Sequence, residues 1–301
     1  MNRRTLLAAA AGGTTAAVLS GAPAAAAAQK RRFQGKVVAI TGATSGIGKA
    51  AAIAFAAHGA KVGFCGRRAQ LGNEVAAEIR KAGGEAVYIQ ADVRHEEQVK
   101  SFVDQVVAKY GRLDIAFNNA GIRGPGLQPH EVKLADWDDV MNTNVRGVFL
   151  AIKHQVPHML RTKGGVIVCT SSASAERARP DGAAYSASKA GINGLIKAVA
   201  LAYGTEGIRV NAIMPGTTDT PFVARPPGIP DADWEAFKKL WGPLNVSGME
   251  RMATADEIAA AVLGLASDDF RFMSGVGVQV DGGDSAGRKM VMPKLPVTRT
   301  G

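Results

Sequence analysis

The feature that most constrains the fold is a repeated alternation of short apolar runs with longer amphipathic stretches, from Lys36 onward. Seven runs have the length and composition of strands: Val37–Thr41, Lys61–Cys65, Ala86–Gln90, Ile115–Asn118, Gly165–Thr170, Arg209–Met214 and Gly277–Val280. Six stretches have helical periodicity: Gly48–His58, Leu71–Ala82, Glu96–Tyr110, Trp137–Arg161, Tyr185–Gly204 and Thr254–Ala266. This alternation predicts an α/β fold, a doubly wound parallel sheet of about seven strands with helices on both faces.

The composition excludes disorder as the main state, since apolar residues make up 47% of the chain and charged residues 21%. No linker interrupts residues 36–283, so we predict one domain over residues 29–283. Both cysteines, Cys65 and Cys169, lie in strand-like runs, which favours buried thiols over a disulfide. The formal net charge is +10, but the basic residues are scattered. That pattern favours an anionic cofactor or a solvated surface over nucleic-acid binding.

Residues 1–28 differ from the rest of the chain and are typical of an export signal. They contain no acidic residue, carry Arg3 and Arg4 near the start, continue with an apolar run and end in an alanine-rich zone at Ala28. Paired arginines are typical of the bacterial twin-arginine signal. We predict a signal peptide and a periplasmic or exported protein that meets the membrane only during export. A membrane anchor and a cytoplasmic protein with an alanine-rich tail are the alternatives.

Two further segments break the alternation of strands and helices. Residues 217–250 follow the sixth predicted strand and are rich in proline, with two tryptophans, Trp234 and Trp241. A long insertion at the carboxyl end of a parallel strand lies on the ligand-binding edge of the sheet, so we predict a substrate lid. An ordinary surface excursion is the alternative. Residues 284–301 have no periodicity and are predicted to form a C-terminal tail.

A glycine-rich turn joins the first predicted strand to the first helix, with the sequence Thr41-Gly42-Ala43-Thr44-Ser45-Gly46-Ile47-Gly48. Glycines at such a turn let a pyrophosphate approach the backbone at the N-terminus of a helix. The position of the turn after the first strand therefore predicts a dinucleotide cofactor.

The end of the second strand indicates which dinucleotide binds. An NAD enzyme has an acidic residue there, whereas this chain has Gly66-Arg67-Arg68 and no acid before Glu74. Arginine suits a 2′-phosphate, so we predict that NADP(H) is preferred, with NAD(H) as the alternative. The alternative is that both arginines only cap a surface loop. After the third strand, Asp92-Val93 offers a carboxylate to the adenine amino group, and after the fourth, small residues around Asn119 admit the cofactor.

Tyr185 and Lys189 are four residues apart at the start of a predicted helix, so both side chains lie on one face. A tyrosine has a pKa of about 10, which a nearby ammonium lowers by stabilising the phenolate. Such a pair can deliver a proton to the alkoxide formed when a carbonyl is reduced. Ser172, at the end of the fifth strand, can hold the same oxygen, and Asn144 lies on the long helix between strands. Taken alone, Tyr-x-x-x-Lys also occurs by chance in helices.

Together these motifs resemble the short-chain dehydrogenase/reductase family, single-domain type, over about residues 33–283. The matching positions, in the order of the family, are Thr41-Gly42-x3-Gly46-x-Gly48, Asn118-Asn119-Ala120-Gly121, Asn144, Ser172, Tyr185-x3-Lys189 and Pro215-Gly216. The resemblance implies a Rossmann-type fold, a homotetramer or homodimer, no metal, and NAD(P)-dependent interconversion of a small alcohol and a ketone. The export signal departs from this mostly cytoplasmic family and puts reduction of acyl-carrier proteins in doubt.

The resemblance also implies the role of each site residue. Tyr185 is the acid/base, Lys189 lowers its pKa and holds the nicotinamide ribose, Ser172 orients the substrate oxygen, and Asn144 supports a proton relay. Residues implied to contact the cofactor are Gly42, Ser45, Gly46, Ile47, Gly48, Arg67, Asp92, Val93, Asn119, Tyr185, Lys189, Gly216 and Thr218.

Two other functions remain open on the same fold. A non-catalytic NADP-sensing protein would be marked by a degenerate catalytic set, but all four residues are present in this chain. An epimerase or dehydratase would need a longer C-terminal substrate region than remains after the sheet.

Overall fold

The computed structural model describes residues 32–223 and 229–287. Its centre is a seven-stranded parallel sheet with the strand order β3-β2-β1-β4-β5-β6-β7, so the predicted doubly wound fold is confirmed. The strands are β1 Val37–Thr41, β2 Lys61–Gly66, β3 Glu85–Gln90, β4 Ile115–Asn118, β5 Gly165–Thr170, β6 Ile208–Pro215 and β7 Gly277–Val280. All seven predicted strands occur within a residue or so of the predicted bounds.

Eight α-helices occur in the described residues. They are α1 Gly46–Ala57, α2 Ala69–Lys81, α3 Glu96–Tyr110, α4 Leu134–Met141, α5 Gly147–Arg161, α6 Ala183–Tyr203, α7 Trp234–Asn245 and α8 Ala255–Ala266. The helix predicted over Trp137–Arg161 begins earlier, at Leu134, and changes to π-helical hydrogen bonding over Asn142–Arg146. Helix α7 lies inside the predicted lid and was not predicted, because Pro243 interrupts the helical pattern near its end.

The core lies on both faces of the sheet. Successive strand residues point to opposite faces, so Val38 and Ile40 pack on the side of α1 and α8, while Val37 and Ala39 pack on the side of α3, α5 and α6. All five residues of β1 are buried, as expected for a central parallel strand that is covered on both sides. Cys65 and Cys169 are free and buried, as the sequence indicated.

The direction of strand addition reverses between β1 and β4, which lie side by side with Thr41 opposite Asn118. In a doubly wound sheet, ligands bind in the crevice at the carboxyl ends of the strands at this point. The glycine turn, the Asn119 loop and the loops after β5 and β6 all leave the sheet at this edge. The topology thus brings the predicted cofactor and catalytic segments together.

The predicted signal peptide at residues 1–28 and residues 288–301 of the predicted tail lie outside the described residues. The same holds for residues 224–228 of the predicted lid. Among the helices of the described ranges, none combines the length and apolar character that a membrane span needs.

Candidate active site

The glycine turn is so tight that Gly42 and Gly48 leave no room for a side chain. Gly42 and Gly46 have φ angles of +69° and +56°. A Cβ atom at Gly48 would lie 2.4 Å from the carbonyl oxygen of Gly42 and 2.6 Å from Nδ2 of Asn119. Ser45, the residue before α1, makes no side-chain cap hydrogen bond, and the first turn of α1 has no acidic residue. The amide groups at this helix start, Ile47 among them, therefore offer a site for an anion.

Two arginines follow β2 and point to different places. Arg67 lines a cavity of about 580 Å³ together with Gln90 and Asp92. Arg68 instead reaches over the glycine turn, where its Nη2 donates to Thr44 Oγ1 at 2.8 Å and to Ser45 Oγ at 2.6 Å. The sequence hypothesis named only Arg67 as a cofactor contact. The pair Arg67-Arg68 is visible in the sequence, but the direction of each side chain depends on the fold.

Asp92 lies in the same cavity as Arg67, and its carboxylate is held by Arg94 through Nε at 3.1 Å and Nη2 at 2.6 Å. Arg94 also donates to Asp139 of α4 at 2.6 Å. Burial alone would raise the pKa of Asp92, but the hydrogen bonds and charge of Arg94 hold it below its usual value. Val93 is buried and packs against Leu150 and Ala151. Asp92 therefore faces the candidate adenine site as a charged group, whereas the Val93 side chain does not line this cavity.

Asn119 joins three strand ends at the switch point. Its Nδ2 donates to the carbonyl of Gly42 at 3.1 Å, and its Oδ1 accepts from Thr170 Oγ1 at 3.2 Å. On the other side of the turn, Gly216 approaches the backbone of Asp281 so closely that a Cβ would lie 2.8 Å from its Cα. Thr218 is buried and donates to the carbonyl of Gly216 at 3.1 Å. These residues frame the crevice from both sides.

Lys189 and Tyr185 lie on one face of α6, as their spacing predicts. Nζ of Lys189 lies 5.5 Å from the centre of the Tyr185 ring and donates to the carbonyl of Thr170 at 2.7 Å. Lys189 is only 3% exposed, and burial lowers its pKa to about 8. This ammonium has no carboxylate of the described residues within ion-pair distance.

Burial raises the pKa of Tyr185, while its hydrogen bond with Ser172 and the charge of Arg123 lower it. The net direction is opposite to the lowering that we expected from Lys189. The physical reason is that desolvation of the phenolate outweighs the charges around it. Ser172 is buried at the start of a 3-10 turn, and its Oγ also accepts from the amide of Ser174 at 3.1 Å.

Asn144 lies in the π-helical turn between α4 and α5 and is fully buried. Its Oδ1 accepts from the amide of Ile122 at 2.8 Å, and its Nδ2 donates to the carbonyl of Ile122 and to Ser188 Oγ, both at 2.9 Å. A Cβ atom at Gly121 would lie 3.2 Å from Asn144 Oδ1 and 3.4 Å from Lys189 Nζ. Asn144 thus fixes the loop after β4 directly beside the catalytic lysine candidate.

Two residues near Tyr185 were missed by sequence reasoning. Phe222, in the predicted lid, packs on Tyr185 with ring centres 5.9 Å apart. Arg123 acts on Tyr185 through its charge. Neither belongs to a sequence pattern that would indicate a site. In the described ranges, no group of three or more His, Cys, Asp or Glu side chains is arranged to hold a metal ion.

Comparison with known proteins shows which family the chain is similar to. A family model described as "Enoyl-(Acyl carrier protein) reductase" matches residues 42–285. The chain is 38% identical over 265 residues to a 3beta-hydroxysteroid dehydrogenase of Mediterraneibacter gnavus, covering 84% of this chain and 95% of that protein. It is 39% identical over 254 residues to a cis-4-hydroxycyclohexanecarboxylate dehydrogenase of Sinomonas cyclohexanicum, covering 84% of this chain and 98% of that protein.

Among solved structures, levodione reductase superimposes with a TM-score of 0.78 at 36% identity, covering 85% of this chain and 99% of that chain. Both relatives and the solved structure are matched over most of their own length, and the solved structure shares the fold. The chain therefore belongs to the short-chain dehydrogenase/reductase family, and it is an NAD(P)-dependent oxidoreductase that acts on alcohols or ketones.

Proposed function

We propose that this enzyme interconverts a secondary alcohol and a ketone with a preference for NADP(H), and that Ser172, Tyr185, Lys189 and Asn144 form its catalytic set. The observation that carries the proposal is the meeting of a buried, carboxylate-free ammonium with the Tyr185 phenol, which is itself hydrogen-bonded to Ser172. A cation kept at 3% exposure without a counter-ion among the described residues is costly unless a polar ligand binds it. This fits an active site better than a structural role.

The residues at the sheet edge fit a dinucleotide. Glycines at which a Cβ atom would collide with the backbone, together with the start of α1, which Ser45 does not cap, suit a pyrophosphate. The cavity beside Arg67 and Asp92 suits the adenosine end, and the two remaining protons of the Lys189 ammonium suit ribose hydroxyls. Gly42, Ser45, Gly46, Ile47, Gly48, Asn119, Gly216 and Thr218 complete the proposed contacts. When bound, the nicotinamide supplies or accepts the hydride.

Tyr185 is the proposed proton donor in ketone reduction. Because burial raises the pKa of its phenol, the protonated form dominates near neutral pH and can protonate the nascent alkoxide. Ser172, which is hydrogen-bonded to the phenol, can bind the same substrate oxygen and hold it within reach. Lys189 stabilises the phenolate left after transfer, since its ammonium lies over the ring. Asn144 holds the neighbouring backbone in place.

The substrate class is proposed from the relatives. Those described above act, by name, on a hydroxysteroid, a hydroxycyclohexanecarboxylate and levodione. We propose a cyclic secondary alcohol or its ketone. The test is a panel of cyclic ketones and alcohols in which oxidation of NADPH and NADH is followed optically. If no member of the panel consumes either cofactor above background, the proposed substrate class is wrong.

A preference for NADP(H) predicts that Arg67→Ala and Arg68→Ala each weaken NADPH binding by about ten- to a hundredfold, because a charge-assisted hydrogen bond contributes roughly 1.5–3 kcal/mol. NADH, which lacks the 2′-phosphate, should lose little. Titration of each variant with both cofactors measures this, and Lys81→Ala, at the far end of α2, controls for loss of one positive charge. Equal losses for both cofactors would mean that the arginines only shape the turn.

Export by the twin-arginine route is proposed from Arg3 and Arg4 and the alanine-rich zone of residues 1–28. Because this route carries folded proteins, NADP(H) can be loaded in the cytoplasm before export. Replacing both arginines by lysine should retain the protein in the cytoplasm, as measured by cell fractionation and immunoblotting. A wild-type protein that is itself found unprocessed in the cytoplasm would contradict the proposal.

We also propose that the enzyme is a homodimer or homotetramer. Several large apolar side chains are exposed on the described surface. They include Leu134 and Phe149 on α4 and α5, Leu201 on α6, and Phe272 beside β7. Exposed apolar side chains that lie together in one patch are typical of surfaces that pair with another copy. The family resemblance supports a second copy of this chain as the partner.

A further inference from the structure

The backbone at Arg123 is held in place by a residue of the proposed catalytic set. It directly follows Ile122, whose amide and carbonyl are both hydrogen-bonded to Asn144, at 2.8 and 2.9 Å. Gly121, one residue earlier, lies against both Asn144 and Lys189. The Arg123 side chain therefore starts from a defined point beside the reacting groups.

The guanidinium of Arg123 lies toward the start of α6, the helix that carries Tyr185. Its Nη2 is 3.7 Å from Oδ2 of Asp181, which lies just before α6 and four residues before Tyr185. The same two atoms converge on Gly126, where a Cβ would lie 3.0 Å from Arg123 Nη2 and 3.3 Å from Asp181 Oδ2. The charge of Arg123 also reaches Tyr185, since it opposes the effect of burial on the pKa of that phenol.

The positive charge of Arg123 is only partly balanced by its one ion-pair partner among the described residues, Asp181. Asp181 is shared with Arg179, whose Nε lies 3.1 Å from Oδ1 and whose Nη2 lies 3.5 Å from Oδ2. The next arginine along the loop, Arg177, is paired with Asp284. One carboxylate thus faces two guanidinium groups. Within the described ranges Arg123 makes no hydrogen bond, and its side chain is 42% exposed.

We propose that Arg123 binds a carboxylate on the substrate while Tyr185 and Ser172 hold the reacting oxygen, so that the enzyme prefers cyclic keto acids and hydroxy acids over their neutral analogues. This inference rests on the function proposed above. A guanidinium presents parallel N–H donors that match the two oxygens of a carboxylate. The one carboxylate near Arg123 among the described residues, Asp181, is 3.7 Å away and is shared with Arg179, so the N–H donors of Arg123 remain available to a substrate carboxylate. The carboxylate is unchanged by the reaction and serves only to orient the ring.

The test compares 4-oxocyclohexanecarboxylate with its methyl ester as substrates of the NADPH-loaded enzyme. We expect kcat/KM of the wild type to favour the acid by about ten- to a hundredfold, the range of a charge-assisted hydrogen bond. Arg123→Gln should abolish the preference through a higher KM for the acid, and the loss of kcat/KM for the acid should exceed any loss for the ester by about the same ten- to a hundredfold. Arg123→Lys should keep part of the preference for the acid. Asp181→Asn removes the competing carboxylate and should increase that preference. Arg271 is an exposed arginine paired with Asp268. The variant Arg271→Gln is therefore the control for charge loss and should leave the preference for the acid unchanged.

Binding is measured separately from turnover. The acid should raise the melting temperature of the NADPH-loaded wild type and should fail to raise that of Arg123→Gln, which must still bind NADPH with wild-type affinity. No protection of the wild type by the acid, or equal kcat/KM for acid and ester, overturns the inference and leaves the proposed function intact. If Arg123→Gln slows acid and ester equally through kcat, Arg123 acts on Tyr185 and not on a carboxylate. If the wild type turns over no cyclic ketone, the proposed function itself is wrong.

Discussion

Tyr185→Phe should lower turnover by about 10²–10⁴-fold, the usual contribution of a general acid–base group, while folding and cofactor binding survive. The substitution keeps the ring and its contact with Phe222, and it removes only the hydroxyl that is hydrogen-bonded to Ser172. Steady-state kinetics, the melting temperature and the Kd for NADPH measure the three quantities. Because the loss concerns proton transfer, kcat should fall much more than KM rises.

The pH dependence of turnover follows from the direction in which the pKa of Tyr185 is shifted. Burial raises it, so the phenol is protonated at neutral pH and ketone reduction should decrease only as the pH rises toward the pKa of the phenol. Alcohol oxidation needs the phenolate and should increase over the same range. Both slopes should disappear in Tyr185→Phe.

Tyr110→Phe is the matched control, because the Tyr110 hydroxyl is also buried and has no hydrogen-bond partner among the described residues. Burial raises the pKa of Tyr110 to about 12, yet it lies at the end of α3, away from the carboxyl edge of the sheet. This variant should retain wild-type turnover. A Tyr185→Phe enzyme with near-wild-type turnover and an unchanged pH profile would refute the proposed role of Tyr185.

Lys189→Met should lower turnover by at least about a hundredfold and also weaken cofactor binding. The substitution removes the ammonium over the Tyr185 ring, so the phenolate loses its stabilising charge. It also removes the proposed contact to the ribose. Kinetics and titration with NADPH measure the two losses, and Lys197→Met, exposed on the same helix, should cause neither.

The burial of Lys189 also predicts an effect on the stability of the protein, which can be measured without an activity assay. Its pKa is about 8 in the folded protein, against 10.5 as its ordinary value, so folding is opposed by burial of the charge wherever the pH is below about 8. As the pH rises from about 8 to 10.5 the unfolded chain binds more protons than the folded one, and stability rises. The shift corresponds to about 3 kcal/mol.

The free energy of unfolding of the wild type minus that of Lys189→Met should therefore increase over this pH range. Denaturant titrations of both proteins at several pH values test it, and the difference cancels the titration of groups that the variants share. A constant difference between pH 7 and 10.5 would contradict the burial of a charged Lys189.

Much of the fold could be predicted because its signals are local. Short apolar runs separated by amphipathic stretches of helical length leave few arrangements other than a covered parallel sheet. The glycine turn is also local, since Gly42 and Gly46 adopt left-handed φ angles within a few residues of one another. The shared face of Tyr185 and Lys189 follows from a spacing of four residues on a helix. These features depend on neighbours along the chain, which the sequence displays directly.

The tertiary structure decided what depends on residues far apart in the chain. Three contacts join segments that are distant in the chain. Asn144 is hydrogen-bonded to Ile122, Arg68 is hydrogen-bonded to Ser45 in the glycine turn, and Arg123 lies beside Asp181. The direction in which the pKa of Tyr185 is shifted was also decided by the tertiary structure. The sequence indicates a nearby ammonium, but only the packed fold determines how much water the phenol loses, and that desolvation outweighs the charges around it.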